Sequence, residues 1–278
     1  MDVYMIKRDG DRYVEFFIDG IETYMINTLR RTILTEVPTL AIHDVIIHKN
    51  TSVLYDEELA LRLALIPLHV DKSEIDLLGE CNCYKITEEC VKCTARLRLK
   101  KSGVPDKVIT VYSGDIECVD KKTVKVVVDN IPIAKLGEGQ EIDVEMIARV
   151  GRGKDHAKWM PVSTIGYKPL PKLIVNDACD ACGECVNACP KGILKIENGK
   201  PVLDGLGMYS CDLDRLCVRS CPKNAMKIEP DERRYIFRLE SVGQLKFDEI
   251  FELASKSISD KALDFLNKLK EKIEEASI

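Results

Sequence analysis

The run Cys179-Asp-Ala-Cys-Gly-Glu-Cys-Val-Asn-Ala-Cys-Pro190 reads C-x2-C-x2-C-x3-C-P. That spacing wraps an iron–sulfur cluster in thiolates. Displaced by 32 residues, the run repeats: Cys179 falls on Cys211, Cys185 on Cys217, Cys189 on Cys221 and Pro190 on Pro222. The flanks repeat with it, since Lys191, Lys195, Ile196 and Glu197 fall on Lys223, Lys227, Ile228 and Glu229. Chance rarely produces a repeat in which cysteines and flanks agree together. A structural zinc site is the plainer alternative, but zinc takes four ligands and this segment offers seven thiols.

One position breaks the repeat. Cys182 falls on Asp214. In two-cluster runs the fourth cysteine of each run serves the other cluster. One cluster would then take Cys179, Cys182, Cys185 and Cys221. The other would take Cys189, Cys211 and Cys217, with Asp214 in the fourth place. A carboxylate is a harder ligand than a thiolate and holds the iron of a sulfide cluster less firmly. One [4Fe–4S] cluster is therefore expected, beside a second that is [3Fe–4S] or a labile [4Fe–4S].

Working outward, a second cysteine group stands at Cys81, Cys83, Cys90 and Cys93, spaced C-x-C-x6-C-x2-C. Its C-x2-C arm has the usual zinc spacing, and four cysteines in a polar loop favour structural zinc. Four reduced, metal-free thiols are the alternative. Cys118 stands alone, and none of the four histidines lies in either group. No apolar run approaches membrane-spanning length, and Met1–Gly10 shows no secretory leader, so a cytoplasmic location is expected. Twelve cysteines in such a setting point to metal or redox sites rather than disulfides. The net charge of −5 argues against a protein that grips nucleic acid by itself.

The remaining chain reads as mixed strand and helix. Val3–Arg8 and Tyr13–Ile18 are strand-like, joined by the Asp9-Gly10 turn signal. Gly20–Val37 reads as a helix with Ile21, Met25, Leu29, Ile33 and Val37 on one stripe, stopped by Pro38. Leu40–Ile47, Arg96–Leu99, Val108–Tyr112 and Val124–Val128 are strand-like, and Asp56–Ile66 is helical up to Pro67. Lys246–Ile258 and Asp260–Ile273 carry amphipathic patterns, the first with Phe247, Ile250, Phe251 and Ala254 and the second with Leu263, Leu266, Leu269 and Ile273. The C-terminal pattern is large enough to form an exposed apolar patch on an isolated chain. Two motifs are rejected. Gly151-Arg-Gly-Lys154 lacks the four-residue spacing and the following Ser or Thr of a phosphate loop, and Asp212-Leu-Asp214 lies inside the cysteine run. No nucleophile has a convincing base, and no acidic group suits two-metal chemistry, so no catalytic residue is assigned.

Several of these segments carry a family resemblance. Asn27-Thr-Leu-Arg-Arg-Thr-Ile-Leu34 and Asp56-Glu-Glu-Leu-Ala-Leu-Arg-Leu-Ala-Leu-Ile-Pro67 resemble the signatures of the alpha-like subunits of RNA polymerase. Gly139-Gln-Glu141, Ala148-Arg-Val-Gly-Arg-Gly-Lys154 and His156-Ala-Lys-Trp-Met-Pro161 resemble their archaeal and eukaryotic branch. Tyr235–Leu245, with Glu240-Ser-Val-Gly243, resembles the return strand of the dimerisation domain. The Cys81–Cys93 loop is similar to the zinc loop of the eukaryotic third-largest subunit, with a longer middle spacer. The ferredoxin-like insertion marks the archaeal D-subunit family. The resemblance covers almost the whole chain.

The resemblance implies an α+β fold in three parts. Residues 1–48 and 230–278 would form the dimerisation domain, residues 49–170 an inserted, mostly β domain with the zinc-type loop, and residues 171–229 the ferredoxin-like domain. Pro169-Leu-Pro171 would be a stiff approach to the last. The implied function is a non-catalytic assembly platform of DNA-directed RNA polymerase, a nucleotidyltransferase whose catalytic magnesium belongs to the largest subunit. The implied partners are subunit L in a heterodimer, then subunits N and P, then the large catalytic subunits. The ferredoxin-like part alone would suit a second class of function, an electron-transfer protein or a redox-enzyme subunit, but the polymerase-like segments outside it argue against that. Because metal-binding free energy becomes folding free energy in a small module, the clusters are expected to hold the insertion folded rather than to sense redox state.

Overall fold

The computed structural model describes residues 1–278 except 72–74, 76, 78–89, 91, 206 and 277–278. In chain order the elements begin with β1 (Asp2–Asp9), β2 (Tyr13–Asp19), α1 (Thr23–Thr35), β3 (Pro38–Asn50), α2 (Asp56–Ala64), β4 (Leu68–His69) and β5 (Thr94–Ser102). Then come β6 (Ile109–Tyr112), β7 (Glu117–Cys118), β8 (Lys125–Val126), β9 (Pro132–Leu136), β10 (Glu141–Arg152) and β11 (Val162–Val175). The last are α3 (Glu184–Asn187), β12 (Leu194–Glu197), β13 (Lys200–Leu203), α4 (Leu216–Arg219), β14 (Met226–Ser241) and α5 (Phe247–Ala276). This is the expected α+β class. The chain divides into two units. One comprises Met1–Arg8, Val14–Thr28 and Gly166–Leu239, and the other Asp9–Tyr13, Leu29–Ile165 and Glu240–Ile278.

The first unit is built on a sheet of order β1-β2-β14-β11. Val14 and Ile18 of β2 and Tyr235, Ile236, Phe237 and Leu239 of β14 are buried. The predicted helix Gly20–Val37 starts later, at Thr23, for a visible reason. Gly20 sits at φ +81°, in the left-handed region, and the N–H groups of Gly20 and Ile21 donate to Arg233 O at 2.9 and 3.2 Å. The chain is thus still tied to β14 where the periodicity already looks helical. The predicted stripe also rotates. Ile26 and Ile33 are fully buried while Met25 is half-exposed, because a strict four-residue repeat outruns the 3.6-residue turn.

β11 and β14 are neighbours in that sheet and run on into the cysteine-bearing segment, where Asn176 N–H donates to Ala225 O at 2.9 Å. Residues 170 and 230, the expected borders of the ferredoxin-like part, both lie inside these strands. Between them β12 and β13 pair as a hairpin, and the Asn198-Gly199 turn, with φ of +51° and +75°, has the left-handed pair that matches strand twist. The core of this segment is small. Among the described residues its buried members are Cys185, Ile193, Leu194, Cys211, Cys217, Met226 and Ile228, so three of them are thiols.

The second unit is built on a sheet of order β3-β10-β5-β7. β5 shows clean alternation, with Ala95, Leu97 and Leu99 buried and Arg96, Arg98 and Lys100 outward. β10 is central, with Met146 opposite Val45 on one side and Leu97 on the other. Register shifts at Asp143/Val144 and Ile147/Ala148 break its alternation against β3, so buried residues follow one another along it. α2 docks through Leu59 and Leu63, one turn apart and both fully buried, and its first turn carries Asp56, Glu57 and Glu58 where the helix dipole favours anions. Val124–Val128, expected as a strand, pairs only over β8, which faces β4.

The Gly151-Arg-Gly-Lys154 segment is a packing device. A Cβ at Gly151 would stand 2.3 Å from the Trp159 ring, and one at Gly153 would stand 2.0 Å from Leu34 O. Trp159 is fixed in turn by its Nε1–H donating to Arg149 O at 3.0 Å. At the C-terminus the two predicted helices are one. No Gly or Pro interrupts Ser257-Ile258-Ser259-Asp260, so α5 continues through it. The expectation of a single exposed apolar patch is corrected at the same place. Phe247, Ile250, Leu253 and Ala254 are buried core, whereas Leu263, Phe265, Leu266, Leu269 and Ile273 lie exposed on the second half of the helix. Among the described residues no helix is long and apolar enough to cross a membrane.

Candidate metal centres

The two cysteine runs fold alike. Ala181 and Gly183 flank Cys182 at φ +58° and +82°, and Leu213 and Arg215 flank Asp214 at +57° and +63°. Each pair leads into a single helical turn, α3 or α4, whose residues are themselves 32 apart. Cys189 N–H donates to Val186 O at 3.2 Å and Cys221 N–H to Val218 O at 3.3 Å. The two runs therefore aim their side chains by the same backbone path.

Two cavities result. Cys179, Cys182 and Cys185 line the first together with Cys221 from the other half. Cys211, Cys217 and Asp214 line the second together with Cys189. Ile196, Pro201 and Pro222 add apolar wall to the first, and Ile228, Leu203 and Pro190 to the second. Among the described residues no three His, Cys, Asp or Glu side chains gather as a single-ion site; the thiols surround two hollows instead.

Their electrostatics suit a cationic guest. Burial pushes the Cys185 thiol above its ordinary value, and Cys182 and Cys179 push it further. Burial likewise raises Cys211, with Asp214 and Cys189 adding to it, and raises Cys217, with Cys189 and Cys211 adding to it. Clustered thiols resist ionisation together, and iron in the hollow reverses that by supplying positive charge. Backbone donors are already aimed at sulfur: Leu213 N–H points to Cys211 Sγ at 3.4 Å and Ala225 N–H to Cys221 Sγ at 3.3 Å. The donor set fits an iron–sulfur cluster. Such a group, when bound, would supply one-electron redox chemistry, and its ligation by these thiols would tie the two halves of the segment together.

Asp214 is not held as a second cysteine would be. Its Oδ1 accepts from Leu216 N–H at 3.0 Å, so one oxygen is engaged at the start of α4. Asp212, which also lines the second cavity, is engaged in ion pairs, at 3.6 Å to Lys168 Nζ and closer to Lys191 Nζ. The Lys191 hydrogen bond holds its carboxyl below the ordinary range. Its counterpart Asp180 is held low by Lys223 at 2.8 Å. Lys191 and Lys223 belong to the flanks whose repeat the sequence shows, but Lys168 and its counterpart Lys200 were not singled out. The signal was present, because the repeat extends back to Lys168-Pro169 and Lys200-Pro201, beyond the cysteines that first reveal it.

Cys81 and Cys83 lie outside the described residues. Cys90 and Cys93 close a tight turn in which Cys90 O accepts from Cys93 N–H at 2.9 Å, Thr94 N–H at 3.1 Å and Thr94 Oγ1 at 2.9 Å. Both thiols are half-buried beside the start of β5. Cys118 is placed apart, with its Sγ 3.4 Å from Arg96 O, and burial pushes its thiol up.

Comparison with known proteins matches the RNA polymerase Rpb3/RpoA insert domain to residues 45–165 and a 4Fe-4S binding domain to residues 173–195. DNA-directed RNA polymerase subunit Rpo3 of Methanosphaera stadtmanae is 37% identical over 271 residues, covering 96% of this chain and 98% of that protein. The Methanothermobacter thermautotrophicus subunit Rpo3 is 38% identical over 265 residues, covering 94% and 96%. That of Archaeoglobus fulgidus is 36% identical over 269 residues, covering 97% and 98%. An iron–sulfur cluster is thus the group that the Cys179 run is built for, and the chain belongs to the Rpo3 family of DNA-directed RNA polymerase subunits.

Proposed function

We propose that this subunit is the non-catalytic assembly platform of an archaeal DNA-directed RNA polymerase in the cytoplasm. The single observation that carries the reading is the free half of α5. Leu263, Phe265, Leu266, Leu269 and Ile273 stand on a helix that has left its own core, with Phe265 65% exposed and Leu266 48% exposed. An apolar face of that extent is stable in water only when a partner covers it. Subunit L is the partner assigned to it, through the dimerisation domain of residues 1–48 and 230–278. That heterodimer in turn recruits subunits N and P and then the large catalytic subunits.

The ferredoxin-like domain, residues 171–229, holds two clusters in this reading. Cys179, Cys182, Cys185 and Cys221 carry a [4Fe–4S] cluster. Cys189, Cys211 and Cys217, with Asp214 beside them, carry a [3Fe–4S] or labile [4Fe–4S] cluster. Cys81, Cys83, Cys90 and Cys93 carry zinc. The clusters serve the fold: a core whose buried members are nearly half thiols gains most of its stability when those thiols are ligated. Co-expression with subunit L followed by size-exclusion chromatography tests the platform. A one-to-one complex is expected. A soluble chain that stays monomeric beside subunit L would overturn it.

A further inference from the structure

The 32-residue displacement that relates the cysteine runs also relates four lysines. Lys168 and Lys200 share one position, and Lys191 and Lys223 another. Each reaches from its own half to the segment of the other half that precedes or follows the first cysteine. Lys168 Nζ donates to Tyr209 O at 2.9 Å, and Lys191 Nζ donates to Ser210 O at 2.7 Å and pairs with Asp212. In the opposite direction Lys200 Nζ donates to Asp177 Oδ1 at 3.0 Å, and Lys223 Nζ stands 2.8 Å from Asp180 Oδ2. Asp177 and Tyr209 are themselves 32 apart, as are Asp180 and Asp212. The crossing follows that of Cys189 and Cys221, so each half lends the other a thiol and two ammonium groups.

The two grips differ in kind. At the Cys179 segment both acceptors are side-chain carboxylates, Asp177 fully exposed and Asp180 47% exposed. Exposed pairs of that sort hold little and weaken with salt. At the Cys211 segment both ammoniums pair with the Asp212 carboxylate but also bond main-chain carbonyls, and the Lys168 side chain is only 22% exposed, that of Lys191 41%. A carboxylate can swing away on its own bonds, whereas a bonded carbonyl fixes the backbone that aims Cys211. Charge-assisted bonds out of water are also the stronger kind. The firmer grip lies on the cavity where Asp214 stands in place of a fourth thiol.

Resting on the reading of the two cavities as cluster sites, we infer that Lys168 and Lys191 are positioning residues for the three-thiol cavity. They hold the Tyr209–Asp212 backbone in its ligand-bearing form before iron arrives, and so offset the missing thiol. Lys200 and Lys223 make the equivalent contacts at the four-thiol cavity, which its own ligands complete.

The test uses the full chain made anaerobically: the parent, the pair Lys168→Met with Lys191→Met, the same pair as Lys→Arg, and the pair Lys200→Met with Lys223→Met. Iron and acid-labile sulfide are counted, electron paramagnetic resonance separates the two clusters, and amide exchange of residues 209–212 is followed in cluster-free chains. The Lys168/Lys191 methionine pair should lose about tenfold in affinity for the second cluster, the effect of roughly one charge-assisted bond, read as a depleted second site when iron and sulfide are limiting. Its first cluster should stay, and amides 209–212 should exchange faster without iron. The arginine pair should recover most of the occupancy. Parent-level second cluster in the methionine pair, or an equal loss in the Lys200/Lys223 pair, overturns the inference. If the methionine pair does not fold, the two single variants are read by the same criteria. A parent with no second cluster overturns the two-cluster reading and the lysine assignment together, whereas two clusters in every variant overturns the lysines alone.

Discussion

Lys261 Nζ lies 2.6 Å from a carboxylate oxygen of Glu36, joining the middle of α5 to the end of α1. The Glu36 side chain is only 11% exposed and also meets Arg152 and Lys154, each at 3.4 Å. Lys261 stands where the exposed half of α5 begins, so this contact braces the helix just beyond its buried half. Burial pushes the Glu36 carboxyl up, but the bonds and charges of Lys261 and Lys154 outweigh it, and the net position is below the ordinary 4.5. The folded value is depressed, so the stability from this group is complete above the unfolded value. It is lost as pH falls through the folded value. Glu36→Gln should cost about 1–3 kcal/mol at neutral pH, measured by urea unfolding. The difference from the parent should shrink as pH is taken below about 4.

The two halves of α5 should answer differently to substitution. Ile250 is fully buried, so Ile250→Ala should cost about 2–5 kcal/mol of stability. Leu266 and Leu269 are 48% and 44% exposed, so changing both to Ser should leave the melting temperature of the isolated chain nearly unchanged. The same double variant should weaken the complex with subunit L by at least about tenfold, since apolar anchors dominate such interfaces. Thermal melts and pull-down titrations check the two sides separately.

Much of this architecture was legible in the sequence, and the misses have physical causes. Cys189 and Cys221 could be expected at the opposite cavities because in two-cluster runs of this kind the fourth cysteine of each serves the other cluster. Alternation placed Leu97 and Leu99 inward without any knowledge of β10. The start of α1 was misplaced because apolar periodicity carries no information about Gly20, whose N–H is committed to Arg233. The break at Ile258–Asp260 was expected from a change in pattern, yet nothing there breaks a helix. The hydrogen bond from Leu216 N–H to Asp214 and the crossing lysines depend on which half faces which, and a ligand pattern alone does not give that.

The Cys90–Cys93 turn supports a prediction on zinc. Three donors converge on Cys90 O, so the C-x2-C arm is shaped by its own backbone and by Thr94. Anaerobically purified chain should hold about one zinc beside its iron. Cys93→Ser should remove the zinc and leave iron unchanged, as read by elemental analysis. A parent without zinc would leave four reduced, metal-free thiols as the reading of that loop.

Arg215 occupies a left-handed position, φ +63°, where the matching residue of the other half is Gly183. A side chain there costs about 1 kcal/mol or more. Arg215→Gly should therefore stabilise the segment by up to about 1 kcal/mol, less the added freedom of glycine in the unfolded chain. Chemical unfolding of cluster-loaded protein gives the measurement, and a loss of stability would mean that the arginine side chain makes a contact worth more than the strain.

Asp214→Cys puts a thiol where the backbone already has the geometry of the first half, because Leu213 and Arg215 repeat the left-handed pair that flanks Cys182. The exchange has two opposing effects. It removes the acceptor for Leu216 N–H, a capping loss of about 1 kcal/mol in the cluster-free chain. It supplies the fourth soft ligand at the second cavity, where a carboxylate binds iron less firmly. Ligation is the larger of the two, since metal binding in small modules contributes many times the energy of one cap. The variant should therefore contain two stable four-iron clusters after aerobic handling, whereas the parent should show a three-iron signal or a depleted second site. Iron counting with electron paramagnetic resonance on matched preparations decides it. A parent in which both four-iron clusters survive air equally would show that Asp214 is no weaker a ligand than Cys182.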